Sequence, residues 1–135
     1  MTRKVKNEDL NRLTVEKYRK VSKSRIVVVL DNIRSMHNVG AIFRTSDAFR
    51  VAKICLCGIT AIPPHRDIRK TALGAEESVE WQYYATTVEA LQEFEEAHIC
   101  ALEQVVDSVS LREVDLPKEN TIVLIVGNEV DGVDE

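Results

Sequence analysis

The 135-residue chain carries 18 basic and 22 acidic residues, for a formal charge of −4, with 44% hydrophobic content. That size suits one domain able to bury a core without staples, and the mix of aliphatic and charged residues is that of a soluble globular protein. No apolar run approaches the ~20 residues of a membrane helix, the opening MTRKVKNEDLNR holds no apolar signal core, and the acidic total argues against a general nucleic-acid coat.

The charge is unevenly spread. Residues 1–50 hold 12 basic and five acidic residues (+7), and the remainder carries −11. A basic N-terminal portion permits a local phosphate-binding face, although Lys17 to Arg25 also reads as a solvated helix end. Cys55 and Cys57 lie two apart in an apolar stretch, so they share one face of a strand. With no histidine or cysteine partners spaced for a metal, these two and Cys100 are expected to be buried, reduced and structural. A cytoplasmic protein is the corresponding expectation.

In chain order, residues 8–21 predict a helix, with Leu10, Leu13, Tyr18 and Val21 near one stripe and Asn7 as a possible cap. The basic residues 22–25 connect it to Ile26–Leu30, five consecutive aliphatics expected of a strand buried on both faces. A helix follows over Asn38–Phe49, with Val39, Ile42, Phe43 and Phe49 on its apolar side and Arg44 near its start. Lys53–Cys57 is the next strand, completing a βαβ unit and ending at Gly58. Residues 60–67 form a loop marked by Pro63-Pro64, and Arg66, Arg69 and Lys70 make a short basic cluster. Val79–Tyr84 predicts a short strand, Thr87–Ala97 a helix, His98–Leu102 a buried strand and Thr121–Val126 the last strand. Residues 108–116 carry too little pattern to assign beyond a short helix or loop. The alternation implies an α/β fold, a mostly parallel sheet with helices on both faces. Residues 1–25 form a basic extension and 26–135 the main domain.

Two short stretches follow aliphatic strands, where parallel sheets bind ligands. The first is Asn38-x-Gly40-x-x-x-Arg44, preceded by His37; the second is Gly127-Asn128-Glu129-Val130-Asp131-Gly132. A helix opening at the first offers unpaired N–H donors and partial positive charge to an anion such as phosphate. Asn38 is equally a helix cap, Gly40 a packing residue and Asp131-Gly132 an ordinary turn.

With RTSDAF after Arg44, the glycine-ended LCGIT and RKTALGAEE, these motifs resemble the SpoU (TrmH) family of RNA ribose 2′-O-methyltransferases, in the SPOUT superfamily. The resemblance covers about residues 8–135. Of the family's three motifs the first two are present; the third, with Ser-Leu-Asn, would lie beyond Glu135. The domain is therefore expected to be C-terminally incomplete, as is also implied by the lack of a covering helix after the last strand. The resemblance implies a SPOUT-type sheet, trefoil-knotted when the C-terminal segment is present. It also implies homodimers with the active site at their interface, S-adenosylmethionine as cofactor, and tRNA or rRNA as substrate, without DNA, membrane or metal. It makes Arg44, Asn38 and Glu129 the catalytic set. Leu102, Glu103, Gly127 and Asn128 become cofactor contacts and Arg44 an RNA contact, while the basic cluster Arg66, Arg69 and Lys70 is by its own chemistry a candidate RNA-phosphate contact.

The chemistry leaves the role of Arg44 open. A ribose hydroxyl must lose its proton while attacking the sulfonium methyl in line, and alignment supplies most of the help. An arginine side chain, with a pKa above ~12, is a poor base unless its site shifts it. Its planar fork is well made for clamping an RNA phosphate. Glu129 reads first as an acceptor ordering the motif loops, and second as a base. The rival to an enzyme is a non-catalytic RNA-binding module on the same scaffold.

Overall fold

The computed structural model describes residues 2–134. Five strands form one fully parallel sheet: β1 Ile26–Asp31, β2 Lys53–Cys57, β3 Trp81–Tyr84, β4 His98–Leu102 and β5 Ile122–Val126. Their spatial order is β3-β2-β1-β5-β4. The chain first winds outward from β1 through β2 to β3, then crosses to the opposite edge at β4 and returns beside β1. The switch point of the sheet therefore lies between β1 and β5, which pair from Ile26↔Ile122 to Leu30↔Val126. That register aligns the ends of the two strands preceding the motifs.

Aliphatic strands alternate side chains between two cores. Val28, Leu30, Ile54 and Leu56 face one side, where they meet Val39 and Phe43 of α2 (Met36–Ala48) and Ile68 and Ala72 of α3 (Arg66–Ala72). Val27, Val29, Cys55, Cys57, Val123 and Ile125 face the other, under α4 (Thr87–Leu91) and the 3₁₀ turn Gln92–Phe94 that extends it. Phe43, Leu30, Ile54, Leu56 and Ile68 are fully buried, each contributing about 1.5–3 kcal/mol relative to exposure. Burial pushes the Cys55 thiol up to about 12 and the Cys57 thiol up to about 11, so both are inert packing residues. A four-residue helical turn, Ala75–Ser78, links α3 to β3.

The expected N-terminal helix is broken. A 3₁₀ turn spans Asn7–Leu10, Asn11 adopts a left-handed φ of 47°, and α1 covers only Val15–Lys20. Thr14, not Asn7, caps it, accepting the Lys17 N–H. Leu10 and Leu13 are exposed, while Tyr18 is buried and donates its hydroxyl to the Asp47 carbonyl at 3.0 Å. The extension is thus moored to the end of α2 by Tyr18 and by the Ser24 N–H, which donates to the Arg50 carbonyl at 2.8 Å, and to the Ala75–Ser78 turn by Arg19, which donates to the Glu77 carbonyl at 2.6 Å.

Three further expectations give way. Phe49 follows α2 rather than extending its apolar side and is 71% exposed. The helix expected through Ala97 has its α-helical part end at Leu91. β4 is a strand, but not a buried one: it is the sheet edge, and Ile99 and Leu102 are exposed. Its aliphatics specify extended backbone, whereas coverage depends on helices packed over it. Residues 103–121 between β4 and β5 contain no helix or strand, only turns, a bend and irregular chain.

Candidate active site

The two motifs meet at the switch point. After β1, Asn32 takes a left-handed φ of 52°, Ile33 turns into the core, and α2 begins at Met36. The start is two residues earlier than the sequence predicts, because Ser35 is the cap: its hydroxyl accepts the Asn38 N–H at 3.2 Å. The Asn38 side chain is thereby free to face the second motif.

That second motif supplies the anion the helix start calls for. Glu129 accepts the Arg34 N–H at its Oε2 and the Ser35 N–H at its Oε1, both at 2.9 Å, and the Asn38 Nδ2–H at 3.1 Å. The expected phosphate-type site at this helix N-terminus is therefore filled from within, by a carboxylate ninety residues away in sequence. Burial alone would raise the Glu129 pKa. The donated N–H groups of Ser35 and Arg34, with Asn38, outweigh it and hold the carboxyl down at about 2.

The loop carrying Glu129 closes on itself. Asn128 and Gly132 exchange backbone bonds of 2.8 and 2.9 Å, and Asn128 Oδ1 accepts the N–H groups of Val130 and Asp131. Asn128 Nδ2 donates to the Asn32 carbonyl at 2.7 Å, tying the turn to the end of β1. The glycines are steric requirements. A Cβ on Gly127 would lie 2.2 Å from the Gly132 and Val133 backbone, and one on Gly132, at φ 76°, 2.1 Å from Glu103 Oε2. Glu103, at the end of β4, accepts the Gln104 and Val133 N–H groups at 2.9 Å; these lower its pKa. Gly40 belongs to packing: a Cβ there would lie 2.1 Å from Thr71 Oγ1 and 2.2 Å from the Ile68 carbonyl of α3. Thr71 also donates to the His37 carbonyl at 2.7 Å.

Arg44 lies elsewhere on the same helix. It is the ninth of thirteen residues of α2, not on its first turns, and is exposed. It lines a surface cleft of about 580 Å³ with Arg12, Leu13, Tyr18, Asp47, Arg50 and the Leu73–Ala75 corner. Among the described residues its guanidinium has no hydrogen bond or ion pair, so it is available to a ligand. Arg66, Arg69 and Lys70 are exposed on α3; Arg69 lies 3.8 Å from Glu77 and Lys70 3.2 Å from Asp67. Asn38 and Glu129 thus touch one another, and Glu103, Gly127 and Asn128 belong to the same loop system. Leu102, paired in register with Val126, is 58% exposed beside them.

Sequence reasoning missed Ser35, and gave no role to Asp31, Arg12 or Arg50. Asp31 is 2% exposed and closes an otherwise aliphatic run; a carboxylate ending such a run is itself a readable signal. The cleft residues carry none, because Arg12 and Tyr18 come to line one cleft with Arg44 and Arg50 only in the folded chain.

Comparisons with known proteins show the family and the fold. The model of the SpoU rRNA Methylase family matches residues 25–135. The chain is similar to the TrmH/SpoU tRNA modifying enzyme of A. aeolicus, with 29% identity and a TM-score of 0.72 over 89% of this chain and 62% of that one. It is similar to the AdoMet-bound rRNA methyltransferase of Sinorhizobium meliloti, with 26% identity and a TM-score of 0.71 over 87% and 45% of the two chains. An RNA 2′-O ribose methyltransferase shares the fold, with 18% identity and a TM-score of 0.69 over 85% and 44%. The search of curated proteins found no match. The chain spans less than two thirds of the length of each of these three structures. Both motifs and the whole sheet lie within the matched residues, and the chain belongs to the SpoU rRNA methylase family.

Proposed function

We propose that the protein transfers a methyl group from S-adenosylmethionine to a ribose 2′-hydroxyl of tRNA or rRNA. The observation that carries this reading is the union of the two motifs: Glu129 holds the start of the helix on which Arg44 stands free. A carboxylate engaged by three donors is committed to structure. Arg44, without a partner among the described residues, is the group left to meet RNA.

The ends of β4 and β5 fit the cofactor. Leu102 offers an exposed apolar surface next to Val126, and Gly127 follows at the end of β5 with main-chain groups. The side chains of Glu103 and Asn128 already bind loop backbone, so their contribution to cofactor contacts is through the main chain. When bound there, S-adenosylmethionine supplies an electrophilic methyl on a good leaving group. Arg44 then orients the nucleophile by gripping an adjacent phosphate with its fork, placing the hydroxyl in line, and the hydroxyl proton passes to water. Arg66, Arg69 and Lys70 are further phosphate contacts in this reading.

The reading includes a homodimer, supported by the exposed apolar residues Ile99, Leu102, Val105 and Val106 along and after the sheet edge. It also includes residence in the cytoplasm, in keeping with three free thiols. The test is incubation of the protein with methyl-labelled cofactor and bulk RNA. Label in the RNA supports the enzyme. RNA binding without label would replace it by a non-catalytic RNA-binding module.

A further inference from the structure

The segment 127–134 is fastened by carboxylates from three directions. Glu129 reaches out of it to the start of α2. Glu103, from the end of β4, reaches in to the Val133 N–H and packs against Gly132. Asp31, from the end of β1, reaches in to the Asp134 N–H, which donates to its Oδ2 at 2.9 Å. The anchored positions are Glu129 within the Asn128–Gly132 turn and Val133 and Asp134 just after it, and Gly127 and Asn128 stand at its root.

Asp31 is the informative member. It is buried, and no basic side chain forms a salt bridge with it among the described residues. A buried ionisable group without a cation is costly unless its oxygens are met by donors. Every partner of Asp31 is a donor: the Thr87 hydroxyl at the start of α4 and Asn32 Nδ2 at Oδ1, and the Asp134 N–H at Oδ2. The position thus calls for acceptors on both oxygens, as a carboxylate provides. It joins the sheet centre, the opposite helix layer and the second motif at one point. Glu103 is exposed at the sheet edge, so burial makes no such demand on it, but both its partners are likewise donors, the Gln104 and Val133 backbone N–H groups.

We propose that Asp31 and Glu103 are positioning residues for the cofactor: they hold the 127–134 loop by its backbone, so that the Gly127–Asn128 main chain is preset for binding. This rests on the reading of Gly127 and Asn128 as cofactor contacts. A loop already ordered spends less of its binding free energy on ordering, so loosening it weakens affinity without rearranging the sheet.

The test uses the intact protein and Asp31→Ala, Glu103→Ala and Glu103→Gln variants, with two readouts. Amide hydrogen exchange should quicken at Val133 and Asp134 in both alanine variants while amides of β1 and β2 exchange as in the wild type. The dissociation constant for S-adenosylhomocysteine, by calorimetry, should rise about tenfold in each, the size of one lost hydrogen bond to a charged acceptor. Glu103→Gln retains a carbonyl acceptor and should recover part of the affinity lost by Glu103→Ala. Unchanged loop exchange in both alanine variants overturns the proposal, as does faster exchange with wild-type affinity. Exchange that quickens across the whole sheet also overturns it, by reducing both residues to general stabilisers. A wild type that binds no S-adenosylhomocysteine counts against the cofactor reading, and the exchange data then decide the clasp alone.

Discussion

The two halves of α2 are built to opposite rules. At its start, polar groups find partners: Ser35 caps Asn38, and Glu129 takes up two backbone N–H groups and the Asn38 amide. Further along, Arg44 projects into an open cleft with no partner among the described residues. The apolar faces of the two halves are alike, with Val39 and Phe43 fully buried. The contrast therefore arises in polar chemistry. One half fixes the helix in place, and the other carries a side chain whose binding capacity is unspent. Conserving the fold and serving a ligand are divided between residues six positions apart on one helix.

That division can be broken from either side. The largest effect is expected at the open half: Arg44→Ala should lower methyl transfer by at least about 100-fold, the order lost when a reacting group is misplaced, with melting temperature unchanged. Steady-state rates and a thermal scan on the same sample check both halves of the statement. Next comes the seam beneath the helix. Gly40→Ala places a Cβ within 2.2 Å of Thr71 Oγ1 and the Ile68 carbonyl, and should cost about 1–3 kcal/mol of stability by overpacking, measured by denaturant unfolding. At the fixed half, Ser35→Ala should cost about 1 kcal/mol through the lost cap, in the same unfolding assay.

Acid separates the halves further. The Glu129 pKa lies at about 2, below the ordinary 4.5. A depressed carboxyl stabilises the folded state above its unfolded pKa, and that contribution is lost as pH falls through the folded value. Loop docking should thus be constant above about pH 5 and weaken between about 4.5 and 2. Glu129→Gln should flatten that dependence, read from unfolding free energies along a pH series.

Legibility in the sequence followed the range of the forces involved. Ile26–Leu30 announced a buried strand because five consecutive aliphatics have few other uses. The βαβ order, and the positions of Arg44 and Glu129 after their strands, followed from it. The start of α2 was placed two residues late because Asn38 is itself a good cap residue, and its engagement with Glu129, which leaves the capping to Ser35, exists only in the fold. That engagement depends on β5 lying next to β1, a pairing of strands nearly a hundred residues apart. The exposure of β4 was hidden for a related reason: His98–Leu102 reads as a strand from its own residues, whereas its burial belongs to whatever packs over it. In the N-terminal extension, the left-handed Asn11 interrupts a stripe that looked continuous, and Tyr18 alone retains its expected burial.

The most direct measurement of the central claim is the position of the transferred methyl group. RNA labelled by the wild-type protein and by Arg44→Ala would be hydrolysed with alkali, which cleaves only next to a free 2′-hydroxyl. The account predicts label in alkali-resistant dinucleotides with the wild type and almost none with the variant. Label released in mononucleotides, or equal labelling by Arg44→Ala, would contradict it.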